Sequence, residues 1–160
     1  MDYFATNLKA RALYRLKRFE EALQVSEAAI KIEPRFAPAY VTHALVEFEL
    51  RDYYQTLVDC DEAIKLNPSE NIAYQVRGLV HLQAGQIDKS ELDKAIADFN
   101  KAIELAPNEP EAYYHRGLAY KMKGEKTKAL SDLNAVITLS KDLVLIKMAE
   151  ELIVEINNSD

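Results

Sequence analysis

An internal repeat constrains this 160-residue chain more than any other feature. The run Ala-Ile-Lys-Ile-Glu-Pro at positions 29–34 recurs in similar form at 63–68 and, after a longer step, at 102–107. An Ala–Tyr pair lies near the start of each of the three later units, and a copy of the run without proline begins at Val136. Repeats at intervals of roughly 20–50 residues indicate structural units that bury their apolar faces against one another.

Each unit is predicted to be a pair of helices. Apolar residues recur three and four places apart, as in Ala95, Phe99 and Ala102, and this spacing is typical of one buried helix face. The proline of the repeated run is expected to end the second helix, because proline cannot continue one. Helices this short are marginal alone, so each pair must pack on its neighbours.

The turn between the two helices of a unit has its own predicted signal. Gly85 and Gly124 fall where the first helix should end, in the left-handed conformation that glycine adopts without strain. Lys17 and Arg51 occupy the equivalent places in the first two units. If the backbone is the same there, each should cost roughly 1 kcal/mol.

The third unit carries five extra residues. The step from Gly85 to Gly124 is already the longer one, whereas the step from Ala95 to Ala129 has returned to the shorter spacing of the first two runs. The insertion therefore lies between positions 85 and 95. Ser90 with the aspartate at position 93 resembles a capping box, so the second helix is predicted to begin near position 91 and the insertion to be mostly turn.

These features together resemble the tetratricopeptide repeat. Residues 113–120, followed by Gly124, Ala129 and Ile137, are close to the signature of that family, and the pattern covers residues 3–141. The first unit departs most, at positions 9 and 10, and the second has Thr56 where alanine is usual. The resemblance implies an all-α fold, a right-handed superhelix of antiparallel helix pairs (an α-solenoid), whose first helices line a concave groove. The predicted boundaries are one domain over 1–160, with units at 3–36, 37–70, 71–109 and 110–141.

The segment 142–157 does not continue the repeat and is predicted to be a helix that caps the stack. Ser140 or Asp142 is a plausible cap residue. The expected buried face consists of Leu143, Ile146, Ala149, Leu152, Ile153 and Ile156. Because Leu145 and Met148 widen this apolar stripe, part of it is expected to remain exposed or to contact a second copy.

The groove that the resemblance implies is mostly apolar. The predicted partner-binding residues are Leu8, Tyr14, Val41, Leu45, Phe48, Val76, Leu79, Leu82, Tyr114 and Leu118. The wider predicted lining includes Arg11, Pro38, Thr42 and Ile72. Such a surface suits an apolar or amphipathic segment of another protein. The alternative, left open by the residues, is that leucines such as Leu45 and Leu79 pack between neighbouring helix pairs.

The same places argue against the best-known subclass of the family. Repeats that bind the acidic C-terminal tails of heat-shock chaperones carry Lys, Asn and Arg in the groove. The matching places hold Asn7, Arg11, Thr42, Ile72 and Val76. A terminal carboxylate would lose its water against valine and isoleucine without a bidentate donor.

The predicted function is a protein–protein interaction module, acting as an adaptor, co-chaperone or assembly factor. The alternatives are a scaffold that self-assembles through its terminal helices, giving a homo-oligomer, and a non-catalytic regulatory fragment of a larger protein. The partner is expected to be a protein or peptide. A net charge of −6, with basic and acidic residues interleaved, does not favour nucleic acid. No apolar run reaches the roughly 18 residues that insert into a membrane, and a cytoplasmic location is expected.

Catalysis is not predicted, and neither a cofactor nor a metal is expected. His43 and Glu47 share a helix face, but without an identifiable third ligand they are interpreted as polar packing between helices. His81 is expected to be half-buried, and His115 to form a surface pair with Glu111. Cys60 is interpreted as a small buried residue.

Overall fold

In the computed structural model, which describes residues 2–158, the chain has nine α-helices and no strand over those residues. The helices are α1 (Tyr3–Arg15), α2 (Phe19–Ile32), α3 (Ala37–Glu49), α4 (Tyr53–Leu66), α5 (Asn71–Ala84), α6 (Glu91–Leu105), α7 (Pro110–Lys123), α8 (Lys126–Leu139) and α9 (Leu143–Asn157). The chain divides into two compact units, residues 1–80 and 81–160. The prediction of an all-α fold is confirmed.

Neighbouring helices pack as the repeat requires. In the first unit α1 packs against α2 and α3, and α3 packs against α2 and α4. In the second unit α7 packs against α6 and α8, and α9 covers α8 and part of α7. The second helices α2, α4 and α6 each end two residues before a proline of the repeated run, as predicted from the clash of proline with a continuing helix.

One hydrogen bond recurs where a new pair of helices begins. The hydroxyl of the tyrosine in each Ala–Tyr pair donates to the carbonyl oxygen of the proline that precedes it in the turn. The pairs are Tyr40 with Pro34 at 3.1 Å, Tyr74 with Pro68 at 3.3 Å and Tyr113 with Pro107 at 3.0 Å. This bond ties each first helix to the turn before it, and it satisfies a carbonyl near the end of the previous helix.

Three first helices end on a left-handed residue. The φ angles are 57° at Lys17, 65° at Arg51 and 79° at Gly124. The next amide closes the turn on the carbonyl five residues back, as Arg18 does on Leu13 at 3.0 Å, which is a Schellman motif. The prediction of shared geometry is confirmed, and the two non-glycine positions therefore carry roughly 1 kcal/mol of strain each.

The predicted helix end at Gly85 is confirmed, since α5 ends at Ala84, but the predicted left-handed conformation is wrong. Gly124 is the glycine with positive φ among the described residues, and the amide of Gly85 makes an ordinary helical bond to the His81 carbonyl at 2.8 Å. Glycine is needed at position 85 for a different reason. A Cβ there would lie 2.3 Å from Cδ2 of Leu92, whose side chain is fully buried, so even alanine would overpack this contact.

The five-residue insertion is turn, and α6 begins at Glu91 as predicted. The predicted capping box is wrong, since within residues 2–158 the Ser90 side chain makes no capping bond. Ser90 already has helical angles, φ −64° and ψ −26°, whereas a capping serine needs extended backbone. The Asp88 carboxylate instead accepts from the Ser90 amide at 2.9 Å. Ile87, in this turn, is 95% exposed.

Helix α9 caps α8 as expected from the sequence, beginning after Asp142, whose carboxylate accepts from the Val144 amide at 2.8 Å. Its buried residues are Ala149, Leu152 and Ile156. The expected burial of Leu143 is wrong, because this first residue of α9 is 79% exposed. None of the described helices, α9 included, is long and apolar enough to cross a membrane.

Candidate partner-binding surface

A shallow cavity opens in the first unit where α1, α3 and the start of α5 meet. It is lined by Arg11, Pro38, Val41, Thr42, Leu45, Glu70 and Ile72. All of these except Glu70 occupy places that the repeat register assigned to the groove. Glu70 was not predicted, because it directly precedes α5 and the repeat pattern assigns only helical positions to the groove. The lining is mostly apolar, with one cation and one carboxylate among its residues.

The predicted groove residues of α3 and α5 differ in how much surface they offer. Val41 is 5% exposed and Val76 is 2% exposed, so both belong to the core. Leu45 is half-buried and packs against the clusters around both valines. Phe48 is half-buried as well, with its ring centroid 5.6 Å from that of Tyr53. The leucine and phenylalanine therefore combine a packing role with an accessible edge.

Helix α1 presents more apolar surface than the other first helices of this unit. Phe4 is 53% exposed and Leu8 is 48% exposed, four residues apart on one face. Leu8 lines a second cavity with Arg11 and Arg15. Arg11 also lines the first cavity, so the two cavities share one side chain. The surface defined by Leu8, Arg11 and Leu45 is called the α1–α3 groove below.

The remaining predicted residues are half-buried or buried. Tyr14 packs beside Leu13 and its hydroxyl lies 3.4 Å from Glu49 Oε1; burial and the nearby carboxylate raise the pKa of this tyrosine. Leu79 is half-buried. In the second unit Leu82 is 6% exposed, while Tyr114 and Leu118 pack against the cluster that joins α8 to α9. Their contact with a partner stays a prediction.

Two histidines differ in their surroundings. His81 is half-buried as predicted and its Nδ1 lies 2.7 Å from Glu91 Oε2. His115 was predicted to pair with Glu111 at the surface, and this is wrong. The His115 ring stacks on the buried ring of Phe99, with centroids 5.8 Å apart, and burial lowers the pKa of His115 to about 4. Because α7 packs against α6, the His115 ring contacts Phe99 of α6 rather than a residue of its own helix.

The burial of His115 predicts a pH dependence of stability. Its folded pKa of about 4 lies below the ordinary value of 6.5, so the unfolded chain binds a proton first as the pH falls. The contribution of this group is present above pH 6.5 and is lost progressively down to pH 4, by up to about 3 kcal/mol. Urea titrations of the native chain and of His115→Leu at pH 7 and pH 4 should show a smaller loss in the variant. Equal losses in both proteins would contradict the prediction.

A buried polar cluster lies between α3 and α4 in the first unit. The sequence paired His43 with Glu47, and the structure adds Asp59, whose carboxylate is hydrogen-bonded to His43 Nδ1. Glu47 Oε1 lies 3.2 Å from the same nitrogen. Desolvation, then the charge of Asp59, raises the pKa of Glu47 to about 9. The repeat could have indicated Asp59 as the partner of His43. Asp59 follows His43 at the same separation at which Asp132 follows Arg116 in the fourth unit.

Comparisons with known proteins agree with this architecture. Residues 87–124 match the family described as TPR repeat, and residues 6–36 and 110–143 match the tetratricopeptide repeat family. Together these matches cover more than half of the chain. The structure is similar to that of a thermophilic TPR protein from Thermus thermophilus, with a TM-score of 0.87 and 21% identity, covering 96% of this chain and 82% of that one.

Two further relatives match over a smaller part of this chain. The first TPR of Spaghetti (RPAP3), bound to the HSP90 peptide SRMEEVD, has a TM-score of 0.66 and 22% identity over 78% of this chain and 93% of its own. Protein FlbA of Caulobacter vibrioides is 32% identical over 92 residues, which is 58% of this chain and 15% of FlbA. The chain spans 15% of the length of FlbA and 24% of the length of a second curated relative, the SGT1 homolog of Oryza sativa.

The repeated helix pairs, the shared left-handed turns and the family matches agree with one another. They give an α-solenoid built for protein–protein interaction. The chain belongs to the tetratricopeptide repeat family.

Proposed function

We propose that the α1–α3 groove binds an apolar or amphipathic segment of a partner protein, so that the chain acts as an adaptor, co-chaperone or assembly factor. The observation that carries the proposal is the exposure of Leu8, which lines one cavity with Arg11, together with the cavity that Arg11 and Leu45 line. Apolar side chains on adjoining helices, with arginine stems along the rim, suit a helix laid into a groove.

The charges of the groove favour this partner over an acidic C-terminal tail. Thr42 donates its hydroxyl to the Pro38 carbonyl at 2.9 Å, so this donor is already used. Ile72 and Val76 present no donor. A terminal carboxylate in this groove would meet the single guanidinium of Arg11. Its desolvation would be poorly offset, because bidentate or multiple donors stabilise such groups.

The test uses defined peptides. Amphipathic helical peptides selected from a displayed library against the native chain should carry two or three large apolar residues on one face. Leu8→Glu should weaken their binding by at least about tenfold, since it places a charge in the apolar contact. Ile87→Glu is the matched control, because this residue is equally apolar, 95% exposed and distant in sequence. The peptide SRMEEVD should bind no tighter than a Kd of about 1 mM.

Either of two results would contradict the proposal: tight binding of SRMEEVD, or Leu8→Glu and Ile87→Glu binding the selected peptides equally. Leu8 is a better probe than Phe48, which packs against the cluster containing Cys60 and Val76. Glutamate at Phe48 would damage the fold as well as the surface. Circular dichroism of each variant checks that the helices are intact.

The self-assembling scaffold remains a second candidate, because α9 exposes apolar residues. Leu143 is 79% exposed, Val144 is 67% exposed and Val154 is 57% exposed. Association through this face would bury them in a second copy. Sedimentation over a wide concentration range separates the two candidates, since the adaptor stays monomeric and the scaffold gains mass. Val144→Lys should abolish any association that α9 mediates.

A further inference from the structure

The polar cluster between α3 and α4 has the composition of a metal site. His43 and Glu47 lie one turn apart on α3, and Asp59 lies opposite them on α4. One ligand atom from each lies within 4.8 Å of the others. The side chains are 13%, 6% and 7% exposed in that order. A nitrogen and two carboxylates therefore converge in a nearly dry place, and the histidine is the most exposed of the three.

One atom of this cluster lacks a partner. Glu47 Oε2 is buried and accepts no hydrogen bond from any described residue. A buried carboxylate oxygen without a donor destabilises the fold unless a proton or a cation neutralises it. The other carboxylate is held in place, because Gln55 Nε2 donates to Asp59 Oδ1 at 3.2 Å. This bond leaves Oδ2 of the aspartate facing His43.

The equivalent place in the fourth repeat shows what is unusual here. Arg116 stands at the position of His43 and donates to both oxygens of Asp132, at 2.8 and 2.7 Å. Tyr120 stands at the position of Glu47. One permanent cation thus balances one carboxylate there. In the second repeat the guanidinium is replaced by an imidazole, and a second carboxylate is added.

We propose that His43, Glu47 and Asp59 bind one divalent transition-metal ion, of the Zn²⁺ class, between α3 and α4. Imidazole nitrogen with carboxylate oxygens suits zinc and its neighbours better than calcium or magnesium, which prefer oxygen alone. Ligands about 2.0–2.1 Å from zinc stand about 3.3 Å apart in a tetrahedron. The 3.2 Å between His43 Nδ1 and Glu47 Oε1 is close to that edge, whereas His43 Nδ1 and Asp59 Oδ2 are in hydrogen-bond contact and separate when the ion enters. A solvent molecule would be the fourth ligand.

Metal binding exchanges protons for the ion. His43 Nδ1 gives up its hydrogen bond to Asp59 and coordinates through its lone pair, with the ring proton on Nε2. Any proton that the carboxylates hold is released to solvent as the ion binds.

The test measures Zn²⁺ uptake by the full chain, freed of metal with a chelator and then titrated with zinc chloride at pH 7.5. We expect one ion per chain, with a Kd of about 1 μM or tighter, and a higher Tm in zinc. His43→Gln and Glu47→Gln should each weaken binding by about 100-fold or more, because each removes a ligand. His81→Gln is the matched control, since its histidine contacts the single carboxylate of Glu91.

Two additional measurements keep the outcome decisive if a variant folds poorly. Cobalt bound to the native chain should give the absorption of a four-coordinate nitrogen–oxygen site, and zinc should shift the His43 ring resonances in nuclear magnetic resonance spectra. Cys60→Ala should bind zinc normally, because its thiol lies within an apolar cluster. Absence of stoichiometric uptake would overturn the proposal and leave the proton as the occupant. Loss of binding in Cys60→Ala or His81→Gln would overturn it too.

Discussion

Replacing Asp132 with alanine should lower the free energy of unfolding by about 3 kcal/mol. Asp132 is 5% exposed and accepts two hydrogen bonds from Arg116, whose side chain is 19% exposed. Without the carboxylate the guanidinium stays in a mostly buried place without its counter-charge. The loss falls at the lower end of the range for buried pairs, because Asn100 still accepts from Arg116 at 2.6 Å. Urea unfolding followed by circular dichroism measures it.

The surface pair of Arg18 with Glu21 is the matched control for Asp132→Ala. Glu21 also accepts two hydrogen bonds from an arginine, both at 2.6 Å, but the side chains are 53% and 54% exposed. Glu21→Ala should leave the free energy of unfolding nearly unchanged, because water replaces the lost contacts. If the two alanine variants lose the same stability, burial does not decide the contribution of the pair.

Replacing Phe99 with alanine should lower the free energy of unfolding by about 3–5 kcal/mol. Phe99 is fully buried and is the largest of the fully buried side chains. Its removal leaves a cavity between α6 and α7 in addition to the lost apolar burial. The pKa of His115 should rise from about 4 towards 6.5, since the ring that excludes water from it is gone. Nuclear magnetic resonance titration of the histidine measures this second effect.

Cys60 provides the comparison for Phe99, because it holds the same place in the preceding repeat and is also fully buried. Cys60→Ala removes one sulfur atom and should cost about 1 kcal/mol. A loss in Phe99→Ala no greater than that in Cys60→Ala would mean that the site collapses around the smaller side chain. An unchanged pKa of His115 would mean that residues of α7 exclude water from its ring without the help of Phe99.

Properties that depend on neighbours along the chain were predictable from the sequence. The period of the repeat indicated the helix pairs, and the prolines indicated the ends of the second helices. The left-handed turns at Lys17, Arg51 and Gly124 followed from their equivalent places in the repeat. Each is set by interactions within about one helix turn, which the order of residues specifies. The start of α6 at Glu91 was also predicted, but from a Ser90 capping bond that the structure does not have over residues 2–158.

The position of each residue within its repeat predicted part of the candidate surface. It assigned Arg11, Val41 and Leu45 to the first helices, where they line one cavity. It did not give their exposure, and Val41 is 5% exposed although Leu8 is 48% exposed. Exposure depends on how closely the adjoining pair of helices approaches, and that distance is set by packing between residues far apart in sequence.

The internal repeat determined by itself that this chain folds as paired helices of the tetratricopeptide type. Only the tertiary structure decided what several repeat positions do. Gly85, directly after the last residue of α5, leaves room for Leu92 rather than adopting a left-handed conformation, and the half-buried ring of His115 stacks on Phe99 rather than pairing at the surface. Asp59 completes a cluster with His43. The physical reason is the same in each case, since a side chain's partners across a helix interface are fixed by packing and not by spacing along its own helix.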